Sequence, residues 1–250
     1  MKVIRLIILG CGLVLLWQLL VLITAAPHYI LPGPIRVFHA IVNNWSALLE
    51  HLQTTLTEII LGILLGTFLG VTTALIMTLS PLLKRWMLPI LVISQAIPVF
   101  ALAPILVLWL GYGMASKVAM AVLIIFFPVT SSFYYGMQRT DPHLLELANI
   151  MDGRPISILR YIIVPSAMPA FASGLRVATA VAPIGAVVGE WVGSSAGLGF
   201  YMLHANARMQ IDIMFAALTV LSVVSLFLYF FIDFAMEKLI FWESNQGITR

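Results

Sequence analysis

Residues 146–165 read ELANIMDGRPISILRYIIVP and form the longest polar-bearing interruption in a very apolar chain. Asp141 and Pro142 precede this segment, and they suit the N-cap and the first position of a helix. A short helix is therefore predicted to begin here and to continue to about Met151.

A turn is predicted next, because Asp152 and Gly153 form a strong turn dipeptide. Pro155 can open a second helix after the turn, since proline fits the first helical position. That helix is expected to end near Pro165, because proline removes a backbone donor and disfavours helix before it. The whole segment thus predicts helix, tight turn, helix.

The first of these helices is apolar although it is too short to span a bilayer. Its apolar side chains are Leu144, Leu145, Leu147, Ile150 and Met151. Such a helix is too apolar to lie bare in the cytosol. Two interpretations remain open: the helix inserts into a groove of a partner protein, or it rests on lipid headgroups.

The composition places the chain among integral membrane proteins, since the mean hydropathy is +1.07 and only 9% of the 250 residues are charged. At roughly 20 residues per span, six membrane-spanning helices are predicted within one domain, 1–250. Their ranges are 6–25, 56–79, 87–110, 117–137, 168–189 and 212–233. Lipid offers the backbone no hydrogen-bond partners, so the predicted fold class is all-α and polytopic.

The basic residues are divided unevenly between the two sides of the predicted membrane. With the N-terminus inside, the cytoplasmic side holds Lys2, Arg5, Lys84, Arg85, Arg139, Arg154, Arg160, Lys238 and Arg250, and the outer side holds Arg36, Lys117 and Arg208. This bias predicts that both termini and the loop 138–167 are cytoplasmic. The formal net charge of +3 therefore reflects orientation and not nucleic-acid binding.

Two charged residues within the predicted spans need partners. Arg176 lies near the inner end of the fifth span, so it is expected to snorkel or to pair with a loop carboxylate such as Asp152. Glu58 lies near the outer end of the second span, where a carboxylate can reach water or a partner.

The second span also carries Gly62, Gly66 and Gly70 in two overlapping G-x-x-x-G patterns. Glycine at every fourth position lets another helix approach closely. That helix belongs either to the same chain, which is the favoured interpretation, or to a dimer mate.

Candidates for the lining of a substrate path occur in the third and fifth spans. Gln95 and Pro98 lie in a proline-rich span that is predicted to kink, either beside a cavity or only for packing. Glu190 and Trp191 lie near the outer mouth. They can meet a cationic or aromatic substrate, or they form an interfacial belt with a hydrated acid.

Two short outer helices are predicted as well. Residues 35–50 carry apolar side chains at helical spacing, with Trp45 as an interfacial anchor. Residues 199–209 can form the other helix, after a glycine-rich break.

No motif for covalent chemistry is visible in the sequence. A Walker-type G-x-x-x-x-G-K-S/T is absent, so ATP binding by that route is excluded. The histidines are scattered, Cys11 stands alone, and no metal cluster or cofactor is predicted. The chain is therefore not expected to be an enzyme.

The polar segment resembles the cytoplasmic EAA loop of permease subunits of bacterial ABC importers. That motif runs Glu-Ala-Ala, three residues, Gly, and then an apolar run to Leu-Pro. Glu146, Ala148 and Pro165 are in register with it, and Val164 stands where leucine is usual. In this family the loop docks into a cleft of the ATPase subunit.

Two positions depart from the motif. Leu147 replaces its first alanine, and Asp152 occupies its glycine position. Since Gly153 follows one residue later, the turn is expected to shift by one residue and Gly153 to supply its unusual backbone angle.

Other segments resemble a narrower group of these permeases. LPGP at 31–34 and IPVFALAPILVLWLGYG at 97–113 are similar to permeases for nitrate, sulfonates, taurine and pyrimidine precursors. Residues 187–218 look most like permeases for hydroxymethylpyrimidine and its relatives.

The resemblance implies the type I importer fold in the bacterial inner membrane. It also implies a homodimer with a central path, ATPase subunits inside, a substrate-binding protein outside and transport by alternating access. The substrate that the resemblance implies is hydroxymethylpyrimidine or a similar thiamine-pyrimidine precursor, with sulfonate, taurine or nitrate as the alternative. A stand-alone secondary transporter is a more remote alternative, because no repeat or deeply placed acid is visible.

The orientation can be tested with a reporter that is active only in the periplasm. A fusion after Gly113 is expected to be active and a fusion after Arg154 silent, because the charge bias places them on opposite sides. Activity at Arg154 with silence at Gly113 would reverse the orientation.

Overall fold

The computed structural model describes residues 2–242, with side chains described from residue 8 onward. Its helices are α1 (Lys2–Thr24), α2 (Pro34–Asn43), α3 (Trp45–Leu79), α4 (Pro81–Ala96), α5 (Val99–Leu110), α6 (Met114–Gln138), α7 (Pro142–Ile150), α8 (Pro155–Ile158), α9 (Val164–Trp191), α10 (Leu198–Ala207) and α11 (Ile211–Leu239). A π-helical segment, Leu159–Ile163, joins α8 to α9. Within these bounds there is no β-strand, so the predicted all-α class is confirmed. The side chains of Lys2, Arg5 and Arg250, which entered the charge count, lie outside the described part.

Long apolar helices dominate the architecture. Those long and apolar enough to cross a membrane are α3, α6, the continuous helix Pro155–Trp191 and α11. The bent pair α4 and α5 forms a further broken span or a re-entrant loop, and the described apolar part of α1, Ile8–Thr24, is shorter. The described residues thus contain four helices that could span, or five with the bent pair, and the count of six spans stays a prediction.

The third predicted span is broken rather than kinked. Helices α4 and α5 meet at an angle of 102°, with Pro98 at the N-cap of α5. Ile97 precedes the proline and adopts an extended ψ of 121°, because proline disfavours a helical residue before it. Pro89 and Pro104 stay inside their helices. The kink predicted for 87–110 is thus found at Pro98, where it is a full break between two helices.

The predicted outer helix at 35–50 is also divided. Helix α2 ends at Asn43, and the Asn44 side chain donates to the carbonyl of Ala40 over 2.9 Å. Trp45 therefore begins α3 instead of anchoring α2. The short helix predicted at 199–209 is found as α10.

Pro165 does not end a helix, contrary to expectation. The wider π-helical turn lets the Val164 amide bond to the carbonyl of Leu159, one residue farther back than in an α-helix. Pro165 then stands in the first turn of α9, where its missing amide needs no partner.

Helix α6 lies between α3 and α9 and packs closely against both. On the α3 side, the three glycines of the G-x-x-x-G patterns face α6. A Cβ added to Gly62, Gly66 or Gly70 would lie 2.5, 2.7 or 2.9 Å from atoms of Ala121, Ile125 or Val129. The structure thus places this glycine face inside the chain and not toward a dimer mate.

The α6–α9 contact has small residues at several points along its length. A Cβ added to Gly174 would lie 2.5 Å from Ser132 Cβ, and one added to Gly185 would lie 2.8 Å from Ala121 Cα. At the end of α9 near Trp191, a Cβ on Gly189 would lie 3.1 Å from the backbone of Lys117. Because these glycines carry no side chain, the two backbones approach closely at these points, while Phe133 and Phe171 pack ring against ring elsewhere along the contact.

Enlarging one glycine of α3 should separate it from α6. Gly66→Leu places its side chain against Ile125, and such overpacking costs about 1–3 kcal/mol. We expect a lower yield and a lower melting temperature in detergent. Gly12→Leu is the matched control, since a Cβ there meets nothing within 4 Å. Equal behaviour of the two variants would contradict the packing.

Candidate functional site

The segment that joins α6 to α9 presents an apolar surface to solvent. Asp141 caps α7 as predicted, because its Oδ1 accepts from the amide of His143 over 2.9 Å. The exposed apolar side chains are Leu144 (45% exposed), Leu147 (54%), Ile150 (83%), Met151 (75%), Ile156 (74%) and Tyr161 (70%). Ala148 is buried, and the Glu146 side chain lies exposed, 4.0 Å from His143 Nδ1. The six exposed apolar residues, from Leu144 in α7 to Tyr161 after α8, are called the α7 surface.

The turn after α7 is a Schellman motif. The Gly153 amide donates to the carbonyl of Ala148 over 2.9 Å, and the Asp152 amide donates to the carbonyl of Asn149 over 3.0 Å. Asp152 adopts a φ of +56°, the left-handed conformation usual for glycine at this position. Asp tolerates it better than most residues, because its short polar side chain can bond locally.

This geometry corrects the expected role of Gly153. The positive φ belongs to Asp152, in register with the glycine of the motif, so the turn is not shifted by one residue. Gly153 is required for a different reason: a Cβ there would lie 2.8 Å from the carbonyl oxygen of Ala148. The backbone of α7 leaves no room for a side chain.

A buried polar cluster lies at the opposite end of the α6–α9 pair. Lys117 Nζ lies 3.1 Å from Glu58 Oε1, with side-chain exposures of 8% and 0%. Neither oxygen of Glu58 has a hydrogen bond of good geometry within the described residues, so Lys117 compensates its charge through Coulomb attraction. Lys117, which the charge bias assigned to the outer loops, is therefore an interior residue.

Glu190 belongs to the same cluster and does not face an open mouth. The residue is 1% exposed, and its carboxylate accepts from Thr55 Oγ1 over 2.6 Å and from the Gly199 amide over 2.5 Å. Trp191 beside it is exposed, as are Gln95 and Pro98 at the bend between α4 and α5. The predicted path residues therefore do not line one surface in the single chain.

The sequence carries a signal for this cluster. Glu58, Lys117 and Glu190 each stand near the outer end of a different predicted span. Charges at the same depth of neighbouring spans can pair, since each is expensive to bury alone.

Arg176 has a partner other than the expected ones. Its Nε lies 2.5 Å from Asp233 Oδ1, so it links α9 to α11 instead of snorkelling alone or reaching Asp152. Among the described residues, no group of three or more His, Cys, Asp or Glu side chains could hold a metal ion.

The fold and these sites define a polytopic, all-α membrane protein with a protruding apolar loop. Residues 59–240 match the family described as "Binding-protein-dependent transport system inner membrane component", and the chain belongs to this family. It is thus a multi-pass inner membrane permease of the ABC importer class, a transport component and not an enzyme.

Similar proteins agree with this assignment. A probable ABC transporter permease protein of Haemophilus influenzae is 54% identical over 91% of this chain and 93% of its own. The formylaminopyrimidine transport permease protein of Halalkalibacterium halodurans is 36% identical over 94% of both chains. A crystal structure of an amino acid ABC transporter with histidines matches 82% of this chain and 98% of its own, with a TM-score of 0.65 and 16% identity. This last likeness confirms the fold of a type I importer permease.

Removing Lys117 should leave Glu58 buried without a compensating charge. We expect Lys117→Met to lower stability by about 3–5 kcal/mol, and Lys117→Met with Glu58→Leu to recover most of it, because an apolar pair needs no compensation. Denaturant unfolding in detergent measures both. Lys238→Met removes an exposed lysine and should stay within about 0.5 kcal/mol of wild type. If Lys117→Met behaves like this control, the ion pair does not support the fold.

Proposed function

We propose that the chain imports a small polar solute, of the pyrimidine type, as the permease subunit of an ATPase-driven ABC importer. The observation that carries the mechanism is the α7 surface on a protruding loop of a permease fold. Alternating access supplies the transport step: two arrangements of the membrane helices exchange, and partners shift their balance.

The α7 surface supports docking to an ATPase subunit. Leu144, Leu147 and Met151 fall at i, i+3 and i+7, so they share one side of the helix and suit insertion into an apolar groove. Glu146 stands outside this stripe and can meet a basic group at the rim of the cleft. The Schellman turn fixes the direction of α8 relative to α7. A displacement of the docked α7 can therefore be transmitted to α6 and α9.

The position of the loop in the chain also supports coupling. It leaves α6 at Gln138 and enters α9 through the π-helical segment. Since α6 and α9 are packed backbone to backbone, a displacement of α7 acts on both together. An interfacial helix that only rested on lipid would not need such a rigid turn.

A homodimer with both termini in the cytoplasm completes the proposed assembly. The bent pair α4 and α5 is largely uncovered in the single chain, with Phe100 (58% exposed), Leu108 (81%) and Trp109 (75%) on its surface. A second copy would cover part of this surface and enclose a path between the two chains. The binding protein would then meet the outer side, where α2 and α10 lie.

A pyrimidine substrate is supported by the formylaminopyrimidine permease, which is similar to this chain over nearly its full length. Sulfonate, taurine or nitrate remains the second candidate, on the resemblance of residues 97–113. The binding protein determines specificity in such systems. Calorimetry of the partner binding protein with hydroxymethylpyrimidine, formylaminopyrimidine, riboflavin, taurine and nitrate is therefore the direct test. Binding of taurine or nitrate without any pyrimidine would overturn the substrate assignment.

Docking through the α7 surface predicts the effect of a buried charge. Leu147→Asp should weaken co-purification with the ATPase and lower uptake into vesicles, because an unpaired charge would be buried at the contact. Asn149→Asp is the matched control, since it adds the same charge to an exposed residue on the other side of α7. Full attachment and uptake with Leu147→Asp would remove this surface from the contact.

The geometry of the turn predicts opposite effects for substitutions at Gly153 and Asp152. Gly153→Val should uncouple hydrolysis from uptake, because its Cβ would collide with the Ala148 carbonyl. Asp152→Gly should keep full coupling and melt at the same or a slightly higher temperature, since glycine relieves the left-handed strain. Uptake and hydrolysis are measured together in vesicles. Loss of coupling in Asp152→Gly with normal coupling in Gly153→Val would contradict the observed turn.

A further inference from the structure

The beginning of α10 is bonded by side chains of two other helices. The amide of Gly197 donates to His51 Nδ1 over 3.1 Å, that of Leu198 to Thr55 Oγ1 over 2.7 Å, and that of Gly199 to Glu190 Oε2 over 2.5 Å. Amides at a helix N-terminus have no carbonyl of a preceding turn to bond. Three consecutive amides are here satisfied by α3 and α9, and we call this arrangement the α10 cap.

Thr55 joins the Leu198 and Glu190 parts of the cap. Its hydroxyl accepts from Leu198 and donates to Glu190 Oε1 over 2.6 Å, so one oxygen links α10, α3 and α9. A carboxylate also interacts favourably with the partial positive charge of a helix N-terminus. The charge of Glu190 and the hydrogen bonds thus both hold the N-terminus of α10 against α3 and α9.

The glycines of the loop are required by the cap. Gly197 has a φ of +111°, and a Cβ there would overlap the carboxyl group of Glu190. A Cβ on Gly199 would lie 2.8 Å from Glu190 Oε2. The two positions leave the space that the carboxylate occupies.

Lifting α10 would be costly because the cap is buried. Thr55 is 0% exposed and Glu190 is 1% exposed, so both would lose partners where water does not replace them. The Lys117–Glu58 ion pair lies beside the cap, since the backbone of Lys117 packs against Gly189, the neighbour of Glu190. An apolar contact would hold α10 more simply, since buried charges add little net stability. The polar cap instead ties the position of α10 to that of α3 and α9.

We propose that Thr55, Glu190 and His51 are positioning residues that make α10 move as one body with α3 and α9 during transport. The opposite side of α10 exposes Leu203, His204, Asn206 and Arg208. Resting on the proposed function, this side receives the binding protein, and the cap transmits that contact to the membrane helices. The cap is then the outer counterpart of the α7 loop.

The test compares two threonines of α3. Thr55→Val removes the hydroxyl of the cap, whereas Thr57→Val removes an exposed hydroxyl that bonds only Gln53 of its own helix. Thr55→Ser keeps the hydroxyl and serves as the rescue variant. The complex with ATPase and binding protein is reconstituted in vesicles. Amide hydrogen exchange over 196–200, stimulation of hydrolysis by the binding protein and uptake are measured.

With Thr55→Val, we expect exchange at 197–199 to quicken and stimulation and uptake to fall at least about tenfold, the effect of losing one hydrogen bond in a network with a charged group. ATPase attachment should stay normal, because it depends on the α7 surface. Thr57→Val and Thr55→Ser should resemble wild type. Gly199→Ala disturbs the cap from the α10 side and should give the same result as Thr55→Val. It therefore tests the cap independently if Thr55→Val folds poorly.

Two results would overturn the proposal. Unchanged exchange in both Thr55→Val and Gly199→Ala would show that the cap does not hold α10. Faster exchange with full stimulation and uptake would show that the cap is structural only. If the wild-type chain neither attaches the ATPase nor responds to the binding protein, the proposed function fails. The cap would then have no coupling role, because that role rests on the proposed function. The hydrogen-exchange data would still show whether the cap holds α10.

Discussion

The close approach of α6 and α9 is the constraint on which the rest of the structure depends. Helices in lipid gain little from burying apolar side chains against each other, so backbone proximity and van der Waals contact must hold them. Gly174, Gly185 and Gly189 provide that proximity on α9. Because α3 packs on the other side of α6 through its own glycines, three long helices form one tightly packed layer.

This packed layer explains why an apolar loop lies at one of its ends and a buried polar cluster at the other. At one end, the chain leaves α6, forms α7 and returns into α9, so the apolar loop is anchored on both helices. At the other end, Lys117 of α6, Glu58 of α3 and Glu190 of α9 meet because their helices are already in contact. Tight packing thus joins the two ends into one rigid body.

Hydropathy predicted the class and the approximate place of every long helix, because the bilayer imposes length and apolarity on each span. Local signals also succeeded where a single residue determines the geometry, as with Asp141 at the start of α7. They failed where distant residues compete: Pro165 is accommodated by a π-helical turn, and Lys117 is buried by partners far away in sequence. The αL conformation of Asp152 likewise depends on the Schellman bonds to α7 and not on the identity of the dipeptide.

The break between α4 and α5 has a consequence for how this protein is made. The last carbonyls of α4 have no following helical turn to bond to, and hydrocarbon supplies no donors. A newly inserted chain therefore cannot release this segment into lipid as a finished span. It must remain beside the insertion machinery, or at a hydrated defect, until other protein surrounds the 102° bend. Biogenesis of the subunit is thereby linked to its assembly, and excess unassembled copies should be favoured substrates for membrane proteases.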